Sequence, residues 1–122
     1  MRLQIALLSI FLSANASAYG EESIPFPQLQ TEVYCQKLVS KMLNPIEKET
    51  ELSKCLMDES ILKAKLEPWW PILPPKTQKY IIYSYFKEPI DHTYITLSKY
   101  ISGAIGDACL SGKIACKNPN AR

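Results

Sequence analysis

The chain contains very little arginine and histidine. Its two arginines are Arg2 and Arg122, and His92 is its single histidine. Because nucleic-acid recognition relies on clustered positive charge and on the planar fork of arginine, this composition argues against a nucleic-acid partner. A single histidine is also a poor sensor of mild acid, and we expect His92 to be an exposed or half-packed ring.

The chain also lacks closely spaced metal-ligand pairs. Its four cysteines are Cys35, Cys55, Cys109 and Cys116, and no two of them form a C-x-x-C motif. Zinc sites and thioredoxin-like redox sites use such short spacings, so we expect neither a metal nor a cofactor. An even number of cysteines in an oxidising compartment is typical of disulfides, which would leave no free thiolate to form a nucleophilic pair with His92.

Carboxylates are present, but their pattern does not identify an active site. A lysine-dotted segment carries Glu47, Glu49, Glu51, Asp58 and Glu59, a pattern that favours a solvated helix face. No serine lies in a nucleophile elbow. We therefore expect a protein that is not an enzyme, with a small secreted hydrolase using carboxylates as an alternative.

The first eighteen residues have the order of a secretory signal peptide. Arg2 precedes an apolar run from Leu3 to Leu12, and a small-residue cleavage site follows at residues 16–18. The run is about half as long as the roughly 20 residues of a transmembrane helix, and no later stretch is long and uncharged enough to span a membrane. We predict a signal peptide over residues 1–18 and a periplasmic or secreted protein; an uncleaved N-terminal anchor is the alternative.

The remaining residues are enough for one small domain with a modest core. The region 19–27 contains two prolines and no periodicity, which predicts a flexible leader. Residues 28–116 are predicted to form the helical domain and residues 117–122 a disordered tail. The expected fold class is all-α: a small disulfide-stapled bundle of about four helices with a Pro/Trp-rich connecting loop.

Two helices are predicted on either side of Pro45, over residues 28–43 and 45–66, because proline ends one helix and suits the first turn of the next. The first helix carries a stripe of apolar residues at helical spacing: Val33, Tyr34, Cys35, Leu38, Val39, Met42 and Leu43. Cys35 and Cys55 each lie ten residues from Pro45, so in an antiparallel hairpin both would be about 15 Å from the turn. This favours the pairs Cys35–Cys55 and Cys109–Cys116 among the three connectivities that four cysteines allow.

The segment 67–75 contains four prolines and the adjacent pair Trp69 and Trp70. Prolines at this density favour a stiff, extended path. We expect one tryptophan to plug the end of the core, as tryptophans in small domains commonly do. Because adjacent side chains do not easily both point inward, the other would be available to a partner.

The last two elements are also predicted to be helices. Residues 79–86 are rich in aromatic and branched residues, but a helix is favoured because no second strand of similar composition exists to pair with them. The final helix is predicted to begin at Pro89, with Asp91 and His92 on its first turn. Its apolar stripe is Ile90, Tyr94, Leu97, Ile101, Ala104 or Ile105, and Ala108. Gly103 and Gly106 are interpreted as a close approach by a neighbouring helix.

These features predict a small exported protein-binding module. Large aromatic side chains on rigid elements offer contact area at low entropic cost, so the predicted partner-binding residues are Trp69, Trp70, Tyr80 and Tyr83. Periplasmic inhibitors and immunity proteins, which act against toxins or cell-wall hydrolases, share this size and compartment. A periplasmic chaperone or stress protein is a further alternative.

Overall fold

The computed structural model describes residues 22–120, which form four α-helices and a short 3₁₀ turn, with no β-strand in this range. The helices are α1 (Thr31–Val39), α2 (Pro45–Leu66), α3 (Pro75–Lys87) and α4 (Tyr94–Leu110), and the 3₁₀ turn spans Trp70–Ile72. The all-α prediction is therefore confirmed. The predicted signal peptide over residues 1–18 lies outside the described residues.

Helices α1 and α2 form the predicted hairpin. The side chain of Asn44 accepts hydrogen bonds from the amides of Ile46 and Glu47 at 2.9 and 3.1 Å, and Pro45 occupies the first turn. This is the arrangement that stabilises a helix N-terminus. A disulfide joins Cys35 of α1 to Cys55 of α2 with a Cα–Cα distance of 5.7 Å, in agreement with the level placement that the spacing predicted.

Helix α1 is shorter than the predicted range of residues 28–43. It ends at Val39, where the backbone turns and the amide of Met42 donates to the Val39 carbonyl at 3.0 Å. Cys35 and Val39 are the buried members of its predicted stripe, whereas Leu43 is 95% exposed. Helix α1 has only nine residues and packs mainly against α2. It therefore buries only one narrow line of side chains.

Helix α4 begins later than the predicted start at Pro89. Its N-cap is Thr93, whose hydroxyl accepts from the amide of Thr96 while the Thr96 hydroxyl accepts from the amide of Thr93, at 3.2 and 3.1 Å. This reciprocal capping box fixes the helix start. Asp91 and His92 consequently lie before α4 instead of on its first turn.

The core lies between α2, α3 and α4 and is closed by the tryptophan turn. Its buried apolar side chains come from all of these elements: Leu66, Trp70, Leu73, Ile81, Tyr85, Tyr94, Leu97 and Ile101. Helix α3 is helical, as predicted, and packs along α4 through this cluster. The predicted α4 stripe is buried at Tyr94, Leu97, Ile101 and Ala108.

The segment before α1 differs from the expected flexible leader over residues 22–27. It is extended, and its backbone is held by side chains of the core: Gln78 Oε1 accepts from the Ile24 amide at 2.8 Å, and Trp70 Nε1 donates to the Ile24 carbonyl at 2.5 Å. The Phe26 ring stacks on Tyr94 with centroids 5.7 Å apart. The segment has no local periodicity, but hydrogen bonds to residues about fifty positions later in the chain fix its backbone.

At the other end, residues 117–120 are exposed, and Asn120 donates to the Lys65 carbonyl at 3.1 Å. In the part of the chain that the structure describes, no helix is both long and apolar enough to cross a membrane.

Candidate partner-binding groove

The two tryptophans occupy different environments. Trp70 is 2% exposed and is the plug that the sequence predicted for one of the pair. Its carbonyl also accepts from Gln78 Nε2 at 2.7 Å, so α3 and the leader both hold it in place. Trp69 is half-buried against the core. Including Trp70 among the partner-binding residues is therefore wrong, because the ring has no surface left to offer.

Tyr80 and Tyr83, the other two predicted partner-binding residues, lie one turn apart on α3 and are 69% and 65% exposed. The neighbouring positions Ile81 and Tyr85 are buried, which fixes the helix against α4. The ammonium group of Lys87 lies 5.3 Å from the Tyr83 ring centroid. The structure therefore presents two large aromatic rings on a rigid support.

Tyr80 also lines a groove of about 750 Å³ between α3 and α4. We call this cavity the α3–α4 groove. Its lining residues are Lys76, Thr77, Tyr80 and Ile81 from α3, Lys99, Tyr100, Gly103, Ala104, Asp107 and Ala108 from α4, and Ser111 and Lys113 beyond α4. The volume lies within the usual range of ligand-binding clefts.

Small residues on α4 leave room in the groove. Gly103 and Ala104 face it, and a Cβ atom built on Gly103 would meet nothing within 4 Å. The same is true of Gly106. The interpretation that these glycines admit a neighbouring helix is therefore wrong: no neighbour approaches either position, and Gly103 leaves open space in its place.

The groove carries an excess of positive charge. Lys76, Lys99 and Lys113 line it together with one carboxylate, Asp107. These lysines form none of the salt bridges found within residues 22–120, which are Lys37–Asp91 and Lys54–Asp58. Because the protein as a whole is close to neutral, the groove is a local concentration of cations.

A tight turn follows α4 and contributes Ser111 and Lys113 to the groove lining. Gly112 adopts a left-handed backbone with φ of 76°, its amide donates to the Cys109 carbonyl at 3.1 Å, and the Lys113 amide donates to the Ala108 carbonyl at 2.8 Å. This pair of bonds is a Schellman motif, for which glycine is favoured. The Cys109–Cys116 disulfide, the second predicted pair, closes the loop with a Cα–Cα distance of 5.1 Å. Lys113 is thus held in the groove lining.

The phenol of Tyr100, which also lines the groove, carries no charge. Tyr100 is half-buried, and this burial, followed by a side-chain hydrogen bond to Glu88, raises the pKa of its phenol. The group therefore keeps its proton at physiological pH and does not offset the charge of the lysines.

Glu59 lies away from the groove and does not belong to the solvated face that the sequence predicted. It is 1% exposed, and its carboxylate accepts hydrogen bonds from the amides of Tyr94 and Ile95 at 2.6 and 3.3 Å. A carboxylate at a helix N-terminus satisfies free amides and interacts favourably with the helix dipole. Glu59 of α2 therefore caps α4 from a neighbouring helix.

The His92 ring packs against Tyr85 of α3. The ring is half-buried, lies edge-on to Tyr85 with centroids 4.7 Å apart, and places Nε2 at 3.0 Å from the Tyr85 carbonyl oxygen. Since a carbonyl only accepts, Nε2 carries the hydrogen in this contact. Both disulfides leave no free cysteine in the described region to pair with this ring.

Residues 22–120 contain no cluster of three or more histidine, cysteine, aspartate or glutamate side chains that could hold a metal ion. The expectation that the protein uses no metal or cofactor, and is not an enzyme, stays a prediction.

The sequence gives no sign of the groove lysines or of the space at Gly103. Lys76, Lys99 and Lys113 come from three separate segments, and no motif links them. The one usable signal was the glycine itself, since a glycine inside an apolar helix pattern requires a packing or functional reason.

Comparisons with known proteins add no relative: no family model, no curated protein and no solved structure matches this chain.

Proposed function

We propose that this protein is an exported binding module that recognises another protein through the α3–α4 groove and the adjoining tyrosines. The observation that carries the proposal is the exposure of Tyr80 and Tyr83 on a helix whose opposite face is locked into the core. Tyrosines on rigid elements are enriched at the energetic centres of interfaces, because little side-chain entropy is lost when they bind. The groove beside them supplies the concave surface that a partner side chain needs.

The two disulfides indicate an oxidising, extracellular-type environment. A periplasmic inhibitor or immunity protein that acts on a toxin or cell-wall hydrolase is the form of binding module that we propose for such a setting. Small size supports it, because an inhibitor needs only one rigid recognition surface and no reactive centre of its own.

Site-specific photocrosslinking tests the proposal. A photoreactive amino acid replaces Tyr80 or Tyr83 in the protein, which is then incubated with the exported fraction of the source cells. Met57 is the matched control, because it is 61% exposed on α2 and lines none of the described cavities. We expect one adduct of the same mass from positions 80 and 83 and none from position 57.

Equal labelling from all three positions, or no adduct from any, would contradict the proposal. Mass spectrometry of the adduct identifies the partner, and a partner with hydrolase or toxin activity is then assayed with and without the protein. Inhibition supports the inhibitor form, whereas an unchanged rate restricts the proposal to binding alone.

A chaperone remains the second candidate, because apolar side chains are exposed at the α1–α2 turn. Leu38 and Ile46 line a separate cavity of about 420 Å³ there, and Leu43, which precedes α2 in the chain, is almost fully exposed. A chaperone would bind many unfolded clients through such a surface. Photocrosslinking from Ile46 that yields a broad set of adducts, together with none from Tyr80, would favour this function.

A further inference from the structure

We propose that the α3–α4 groove binds a short acidic segment of the partner protein, with one large apolar side chain of that segment seated over Gly103. This inference rests on the proposed function and specifies the chemistry of the partner. It is carried by the charge, the shape and the length of the groove.

The charge of the groove selects an acidic partner. Three lysines from three segments line it against a single aspartate. Within the described residues none of these lysines has a salt bridge, so each ammonium group is free to pair with a partner carboxylate. Complementary charges at a rim accelerate association and favour one class of partner over another, and the effect weakens with salt.

The shape of the groove selects an apolar anchor between those acidic groups. Ile81, Ala104 and Ala108 provide an apolar lining, and Gly103 leaves the space above it unfilled. Tyr80 and Tyr100 provide aromatic surface beside this space. A large apolar side chain placed there would lose contact with water while the lysines remain in contact with the charged groups that flank it.

The length of the groove fits a peptide segment. Lys99 and Ala108 mark the extremes of the α4 lining, and the nine helical steps between them cover about 14 Å. About four residues of extended chain cover the same distance. The turn at Gly112 places Lys113 in the lining just beyond the end of α4, so the segment would lie along α4 with a carboxylate near Lys113.

Selection from a random peptide display library tests this chemistry directly, with the purified, oxidised protein as the target. We expect enriched peptides with a net negative charge and at least one large apolar residue. The selected peptide is then labelled, and its affinity is measured by fluorescence anisotropy at low and high salt.

Three variants locate the binding site. Lys99→Glu should weaken binding about ten-fold at low salt and reduce the salt dependence, because it replaces attraction by repulsion. Gly103→Trp should weaken binding by at least about ten-fold, because the indole fills the space of the anchor. Lys41→Glu is the matched control, since Lys41 is exposed and lines none of the described cavities, and it should leave the affinity within about two-fold.

The Gly103→Trp variant is expected to fold, since a Cβ atom at this position meets no other atom within 4 Å and tryptophan has a better helix propensity than glycine. Gly103→Ala is a second variant that keeps the groove open and should retain most of the affinity. If both variants lost binding and their circular dichroism spectra changed, the loss would be due to misfolding, and position 103 would give no support for the apolar anchor. The affinity of Lys99→Glu would then decide whether the groove is the binding site.

Enriched peptides without acidic residues, or an affinity that neither Lys99→Glu nor Gly103→Trp changes, would overturn the inference. Vesicles containing phosphatidylglycerol form a separate arm: binding to them that Gly103→Trp abolishes would assign the groove to a lipid and also overturn it. The proposed function fails independently, if acidic peptides bind but position 80 captures no protein from the exported fraction.

Discussion

The buried carboxylate of Glu59 offers a sharp test of how the helices are held together. Glu59→Ala removes an acceptor that serves the amides of Tyr94 and Ile95 at 2.6 and 3.3 Å. A hydrogen bond to a charged group contributes about 1.5–3 kcal/mol, and a buried donor left without a partner costs about 1–3 kcal/mol. With the favourable dipole interaction also lost, we expect the free energy of unfolding to fall by about 3–5 kcal/mol.

Glu59→Gln keeps the shape of the side chain and one acceptor oxygen. It should cost about 1–2 kcal/mol, because a neutral acceptor replaces a charged one. Glu51→Ala, on the exposed face of the same helix, is the matched control and should change the free energy of unfolding by less than about 0.5 kcal/mol.

Urea denaturation followed by circular dichroism measures all three variants. If Glu59→Ala and Glu51→Ala lost the same small amount of stability, the interpretation of Glu59 as the cap of α4 would be refuted. If Glu59→Ala does not fold, Glu59→Gln still provides a test. Its free energy of unfolding should be lower than those of the native protein and of Glu51→Ala.

Three further changes should have separable effects. Replacing Cys35 and Cys55 by serine opens a loop that spans 20 residues in sequence and should lower the free energy of unfolding by about 3 kcal/mol. Urea denaturation without reductant measures this loss, and an unchanged midpoint would contradict a stabilising role of the disulfide. Burial raises the pKa of the Tyr85 phenol above its ordinary 10.0, so the stability that this group contributes is complete below pH 10.0 and is lost as the pH rises through the higher folded-state value. Alkaline unfolding followed by circular dichroism should therefore be less steep in Tyr85→Phe, and identical profiles would count against this origin. Trp70→Ala should cost about 3–5 kcal/mol and clearly more than Trp69→Ala, because Trp70 is the fully buried ring; equal denaturation midpoints would contradict that distinction.

The parts of the fold that depend on local patterns could be predicted from the sequence. The turn at Pro45, the extent of α2 and the Cys35–Cys55 pair all follow from helical periodicity and from distances counted along one hairpin. The helical state of residues 79–86 followed from the lack of a strand partner.

Features that depend on contacts between distant segments could not be predicted. The charge pattern of α2 does not distinguish Glu59 from its exposed neighbours, because its partners are amides of α4 about 35 residues away. The leader has no periodicity, yet Ile24 is fixed by Gln78 and Trp70. The fixed backbone angle of Pro89 predicts a helix start there, whereas the capping box at Thr93 determines where α4 begins.

The candidate site was predictable in part. Aromatic residues on a rigid element are typical of interfaces, which predicts Tyr80 and Tyr83 as binding residues; the structure places both on the surface of α3, and their binding role stays a prediction. The groove beside them joins lysines and a glycine from α3, α4 and the Cys109–Cys116 loop, which only the packing of the helices brings together.

Hydrogen exchange of the protein alone and in complex with its captured partner locates the binding surface. We expect slower exchange on binding in residues 76–83 and 99–113, which form the α3–α4 groove and its rim, and no change at the α1–α2 turn. Protection confined to residues 38–51, or none in α3 and α4, would contradict binding through the groove.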